Sequence, residues 1–306
     1  MKTNRRTILQ GMLATASAAA LPLPAARAQS AALLTRPIPA TGEQLPLVGL
    51  GSWITFNVGD DRKLLDECAG VMAAFFEAGG RMIDCSPMYG SSQPTIGYGL
   101  KKLGYPEALI SAEKVWTSSG SNGPEQIEQS RAHWGVPRFD LMQVHNLLSW
   151  THHLETLLAM KAEGKLRYIG ITTSHARRHD EIEQIMESQP IDFVQVTYNP
   201  VDREVEARIL PLALERGIAV IVNRPFRQGP LVDRLERHKL PDWLAETGAS
   251  NWAQLILKFI ISHPAVTCAI PATTRVDHLR ENMAAATGML PGEALRRRMA
   301  AYIGQL

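Results

Sequence analysis

Between residues 48 and 274 of the 306-residue chain, short apolar runs alternate with longer amphipathic segments, and the alternation repeats eight times. The apolar runs are VGLGSW, RMIDCS, ALISAEKVW, FDLMQVHN, RYIGITTS, DFVQVTYN, AVIVNRP and TCAIPATT. Each has the length of a strand and ends in polar residues, as parallel strands covered on both faces do. Between them, DRKLLDECAGVMAAFFEAG, PEQIEQSRAHWGV, HHLETLLAMKAEG, HDEIEQIMES and EVEARILPLALERG carry apolar residues at helical spacing. The pattern predicts an α/β fold, a (β/α)8 TIM barrel with a short N-terminal hairpin in RPIPATGEQLPL. An open doubly wound sheet fits less well: no G-x-G-x-x-G opens a helix, and GLGSW supplies only its first two glycines. One extended loop is expected, FRQGPLVDRLERHKLPDWLAETGAS after the seventh strand, at the face where barrels carry function. LRRRMAAYI reads as an amphipathic terminal helix docked on the surface.

The first 28 residues depart from this pattern. Lys2, Arg5 and Arg6 precede an Ala-rich apolar stretch from Ile8 to Leu23, no acid occurs, and Ala26-Arg27-Ala28 offers an A-x-A cleavage site. A cleaved export signal is expected over residues 1–28 and a single barrel domain over residues 29–306. The paired arginines in TNRRTILQ resemble the twin-arginine motif, which implies Tat export machinery as a partner, passage in the folded state and a periplasmic location. Gly11, Thr15, Ser17, Pro22 and Pro24 interrupt the apolar run, so no stable membrane anchor is expected. The formal net charge is +2, and without Lys2, Arg5, Arg6 and Arg27 the remainder lies close to neutral, which gives no support for a nucleic-acid partner. Cys68, Cys85 and Cys268 are too few and too scattered for a disulfide framework and read as small buried residues. His175 and His179 have the spacing of a metal pair without an evident third ligand, so no metal site is expected.

In a barrel, the C-terminal ends of different strands converge on one mouth. Asp84 ends the second predicted strand, Lys114 the third and His145 the fourth, and Tyr89 follows Asp84 by five positions. Alone, each has a plain structural reading: a helix cap, a surface lysine, a satisfied core histidine. Together their chemistry is coherent. A phenol of pKa about 10 exchanges protons poorly near neutrality, and an adjacent ammonium lowers that value. Lys114 is placed to act so on Tyr89. A buried lysine needs a counter-charge to stay protonated, and Asp84 supplies it. A neutral His145 imidazole then orients a substrate carbonyl oxygen.

IDCSPMYG, AEKVW and QVHN resemble the Asp, Tyr, Lys and His of the aldo-keto reductases, and the resemblance runs from about residue 36 to residue 285. LVGLGSW, GKLRYIGITTS, FVQVTYNP and IPATTRVDHLREN extend it. The resemblance implies NADP(H) or NAD(H) bound in the barrel mouth, hydride exchange with an aldehyde or ketone, and a monomeric barrel. Tyr89 then serves as general acid, tuned by Lys114 and Asp84, with His145 orienting the carbonyl. Thr172, Thr173 and Gln195 fall where the family holds the nicotinamide carboxamide, and Glu281 and Asn282 where it holds adenine. Arg224, Arg227, Thr273, Thr274 and Arg275 are candidates for the phosphates, and Trp53, Trp116, Asn146 and Trp150 for the substrate pocket.

Three departures stand out. The aromatic that stacks on nicotinamide in many members is replaced within VNRPF by Asn223 and Arg224. Ala272 and His278 stand where NADPH-binding members commonly place a Lys and an Arg. The chain stops soon after the last helix, without the long tail loop of vertebrate members. A reading from a different class is a non-catalytic nicotinamide-binding barrel that senses redox state, since potassium-channel β subunits also resemble this family.

Overall fold

The computed structural model describes residues 32–306, and the signal expected at residues 1–28 lies outside the described residues. Strands β1 (Thr35–Pro37) and β2 (Gln44–Pro46) form the antiparallel hairpin. Eight further strands pair in parallel in sequence order: β3 (Leu50–Gly51), β4 (Met82–Asp84), β5 (Ile110–Val115), β6 (Phe139–His145), β7 (Leu166–Thr172), β8 (Phe193–Thr197), β9 (Ala219–Asn223) and β10 (Val266–Ala269). Single parallel bridges from Val48 to Ala269 and from Gly51 to Ala272 join the first of these strands to the last, completing the (β/α)8 barrel. Gly51 permits that seam, because a Cβ there would meet the Ile270 carbonyl oxygen at 2.7 Å.

Helices α1 (Arg62–Glu77), α2 (Ser92–Lys102), α3 (Gly123–Trp134), α4 (Trp150–Ala162), α5 (His179–Ser188) and α6 (Ile209–Arg216) follow β3 to β8 in turn. Helices α7 (Pro230–Leu235) and α8 (Trp252–Ile261) follow β9, α9 (Val276–Ala284) follows β10, and α10 (Glu293–Ile303) comes last. Asp61 caps α1 by accepting from the Lys63 and Leu64 amides at 2.9 and 3.2 Å. Helix α10 docks through Met299, Ala300 and Ile303. The three cysteines are free and buried. Among the described residues, no helix is long and apolar enough to cross a membrane.

The segment expected as one extended loop after the seventh barrel strand is partly helical. It contains α7 and a 3-10 segment at Asp242–Thr247. Pro230 starts α7 at a position that needs no amide donor, and Leu231 and Leu235, one turn apart, are both buried.

The strand pleat divides side chains into two sets. One set points outward under the helices, among them Ile83, Val115, Val144, Ile171, Val196 and Val222, and joins the main core. The other points into the barrel, where Ile110, Ala112, Leu141, Tyr168, Phe193 and Ile221 fill the lower half with the hairpin residues Ile38 and Leu45. Further along each strand the inward positions become polar: Asp84, Lys114, Gln143, His145, Thr172, Gln195 and Asn223. The barrel is plugged with hydrocarbon at one end and chemically equipped at the other.

Candidate active site

Asp84 ends β4 and Lys114 stands one residue before the end of β5, with 2% and 0% of their surfaces exposed. Lys114 Nζ donates to Asp84 Oδ1 at 2.5 Å and to the Cys85 carbonyl at 2.8 Å. Burial works to lower the ammonium's hold on its proton, but the charge of Asp84, with Tyr89 and Glu113 adding to it, holds it above its ordinary range. The other carboxylate oxygen of Asp84 accepts from Gln195 Nε2 at 2.9 Å and from Gln143 Nε2 at 3.2 Å. Gln143 was not singled out in the sequence, yet its position two residues before His145 gives it the same inward direction.

Tyr89 reaches this pair from the loop after β4. Lys114 Nζ lies 5.3 Å from its ring centroid, and its ring meets His145 edge-on at 5.7 Å between centroids. The expectation of a lowered phenol pKa is overturned. Burial pushes the phenol up to about 12, outweighing the pull of Lys114, which Asp84 in part opposes. Burial first, and then Lys114, hold the His145 imidazole down at about 3, so the ring is neutral. The group can thus donate a proton from an acid that keeps it and hold an oxygen with an uncharged ring.

These residues open onto a cavity of ≈450 Å³, within the range of small-molecule sites. Asp84, Tyr89, His145, Trp53 and Asn146 line it, as do Thr172, Gln195, Arg224, Thr273, Glu281 and Asn282. Lys114, buried behind Asp84, is not on its wall, and neither are Thr173, Trp116 and Trp150. Thr173 turns its hydroxyl to the His175 carbonyl at 3.2 Å. Trp116 is 38% exposed, with its backbone tied to the Gln126 side chain at 2.6 and 2.9 Å. Trp150 donates its indole N–H to Glu181 on α5 at 2.7 Å. Arg227 is also turned aside, paired with Asp202 at 3.1 Å, and Arg275 is paired with Asp277.

The cavity wall fits an amide-bearing, hydroxyl-rich cofactor. Asn146 Oδ1 is a buried acceptor without a partner among the described residues, and Thr172, Asn223 and Asn282 add neutral polar groups. Gln195 is already engaged: while its amide nitrogen serves Asp84, its oxygen accepts from Thr172 Oγ1 at 3.2 Å and Asn223 Nδ2 at 3.3 Å. Backbone strain gathers here too. Ile54 and Arg224 line the cavity with φ of 65° and 47°, conformations that such residues adopt only where the surroundings enforce them, while Asn146 at 53° is of a type that tolerates this region.

A family model described as the aldo/keto reductase family matches residues 47–300. A protein of Escherichia coli (strain K12) named NADH-specific methylglyoxal reductase is 25% identical over 310 residues, covering 81% of this chain and 92% of its own. A probable aldo-keto reductase of Glycine max is 24% identical over 299 residues, covering 83% of this chain and 85% of its own. The crystal structure of a Klebsiella pneumoniae aldo-keto reductase in complex with NADPH superposes with a TM-score of 0.73 at 24% identity, over 89% of this chain and 96% of that one.

Proposed function

The chain belongs to the aldo/keto reductase family and is an NAD(P)(H)-dependent oxidoreductase, and we propose that Tyr89 is its general acid in carbonyl reduction and its general base in alcohol oxidation. When bound, the cofactor, NADP(H) or NAD(H), supplies or accepts the hydride. The observation that carries the reading is the buried Asp84–Lys114 pair set against a phenol that lines the cavity. Tyr89 hands its proton to the developing alkoxide, and Lys114 stabilises the phenolate left behind. Asp84, fixed by two glutamine amides, keeps Lys114 charged. Neutral His145 donates to the carbonyl oxygen and orients it.

Thr172 and Gln195 are proposed for the nicotinamide end of the cofactor, joined by Asn146, which was expected from the sequence in the substrate pocket and which its open Oδ1 reassigns; Arg224 and Thr273 are proposed for the phosphates, and Glu281 and Asn282 for the adenine. The substrate side is apolar. Trp53, Ile54 and Met88 line the cavity, and Ile54 and Met88 remain 61% and 45% exposed, a rim that an uncharged aldehyde or ketone would cover. The reductase name of the Escherichia coli relative favours an enzyme over a non-catalytic redox sensor. The full reading also includes a cleaved twin-arginine signal over residues 1–28, a monomer, and a periplasmic location.

Tyr89→Phe tests the central assignment. Carbonyl reduction is expected to fall at least about a hundredfold, the low end for removing a general acid, while cofactor affinity, followed by fluorescence titration, is retained. Unchanged turnover would remove Tyr89 from the mechanism.

A further inference from the structure

Two residues beyond Asp84, Ser86 is fully buried, and its Oγ stands 2.7 Å from His145 Nδ1. The same oxygen accepts the Met88 backbone N–H at 3.2 Å. A serine hydroxyl has one proton to give and two lone pairs to receive. If Nδ1 carried the imidazole proton, Oγ would accept from both nitrogens and its own proton would be left without an acceptor in a closed interior. If Nδ1 is bare, the hydroxyl donates to it, the Met88 amide fills a lone pair, and every group is paired. Native interiors strongly favour the second arrangement.

From this geometry we infer that Ser86 is a positioning residue that selects the Nε2–H tautomer of His145, making the ring a hydrogen-bond donor toward the cavity. Tautomer choice has force because burial keeps the ring neutral; a doubly protonated imidazole would donate from both nitrogens whatever its neighbour. The inference rests on the reading that His145 orients the carbonyl oxygen. A bare Nε2 would turn a lone pair toward that oxygen and repel it, whereas Nε2–H attracts it. The spacing in IDCSPMYG then acquires a second meaning: Asp84 serves the lysine, Ser86 the histidine, and Tyr89 the substrate.

The test is the ¹⁵N NMR signature of the His145 side chain in the full chain carrying ¹⁵N-histidine, with His145→Ala used to assign the signal. The parent protein should show Nε2 protonated and Nδ1 bare. In Ser86→Ala the Nδ1–H form should become populated, with kcat for reduction lower by about tenfold, the scale of one neutral hydrogen bond, and cofactor affinity unchanged. Ser86→Thr, which keeps the hydroxyl, should restore the parent tautomer. A parent spectrum showing Nδ1–H, or an Ser86→Ala spectrum identical to the parent's, overturns the inference whatever the activities. Should the spectra behave as expected while His145→Ala reduces carbonyls as fast as the parent, the tautomer assignment stands and the role given to His145 falls.

Discussion

Glu113 precedes Lys114 on β5, and the pleat turns it the opposite way, out of the barrel toward α2 and α3. Its carboxylate is fully buried and accepts from Gln93 Nε2 at 3.0 Å, Trp134 Nε1 at 2.8 Å and the Lys114 amide at 2.8 Å. Burial outweighs these donors and raises the carboxyl from an ordinary 4.5 to about 7. The folded state therefore binds this proton more tightly than the unfolded chain. Its stabilisation is complete below about 4.5 and is lost as pH rises through about 7. His145 and His263, held down at about 3 and about 4, act in the opposite sense, lowering stability as pH falls below the ordinary histidine value of 6.5. Comparing the parent with Glu113→Gln isolates the carboxyl. The unfolding free energy of the parent, relative to the variant, should decline by up to about 3 kcal/mol between pH 4.5 and 7, measured by urea denaturation at each pH. A difference independent of pH would mean that the carboxylate ionises in place without cost.

At the scale of elements, α2 shows how packing can override a weak local signal. SQPTIGYGLKK holds a proline and two glycines, and no apolar periodicity marks it in the sequence as a helix. Pro94 falls in the first turn, where a helix tolerates it. Gly97 answers a tertiary demand, since a Cβ there would stand 1.9 Å from the His133 carbonyl oxygen at the end of α3. Gly97→Ala should therefore destabilise the protein by about 1–3 kcal/mol, the usual scale for overpacking, despite alanine's better helix propensity. Thermal or urea denaturation of the variant decides this, and a stabilised variant would show that α2 and α3 can move apart freely. The segment after β9 teaches the same: expected as one extended loop, it folds a short helix at Pro230–Leu235 because Leu231 and Leu235 find a core to bury in.

For the whole molecule, the proposed export signal and the cofactor site place a joint demand. A nicotinamide enzyme sent outside the cytoplasm meets little free cofactor there, so the site must fill before translocation and release slowly afterwards, with affinity carried by the off-rate. Protein isolated from the periplasmic fraction should then yield close to one NAD(P)(H) per chain on denaturation; a largely empty site would overturn retention, and absence from that fraction would overturn export. The barrel itself was legible in the sequence, because eight apolar runs of strand length separated by amphipathic segments leave few ways to bury both faces of every strand. Asp84, Lys114 and His145 were legible for a related reason: charged or polar groups at the ends of apolar runs must converge on one mouth once the strands are parallel. The sequence alone could not show which side chains the mouth actually admits. Trp116 and Trp150 lie near the site in the chain, yet the first is left 38% exposed and Glu181 holds the indole of the second elsewhere. Nor could it weigh Tyr89's burial against its lysine, or find Gln143 and Ser86, whose roles exist only through partners 59 positions away. Periodicity along a chain encodes the direction in which each side chain points, whereas distance, burial and hydrogen-bond partnership between remote residues arise only when the sheet has closed.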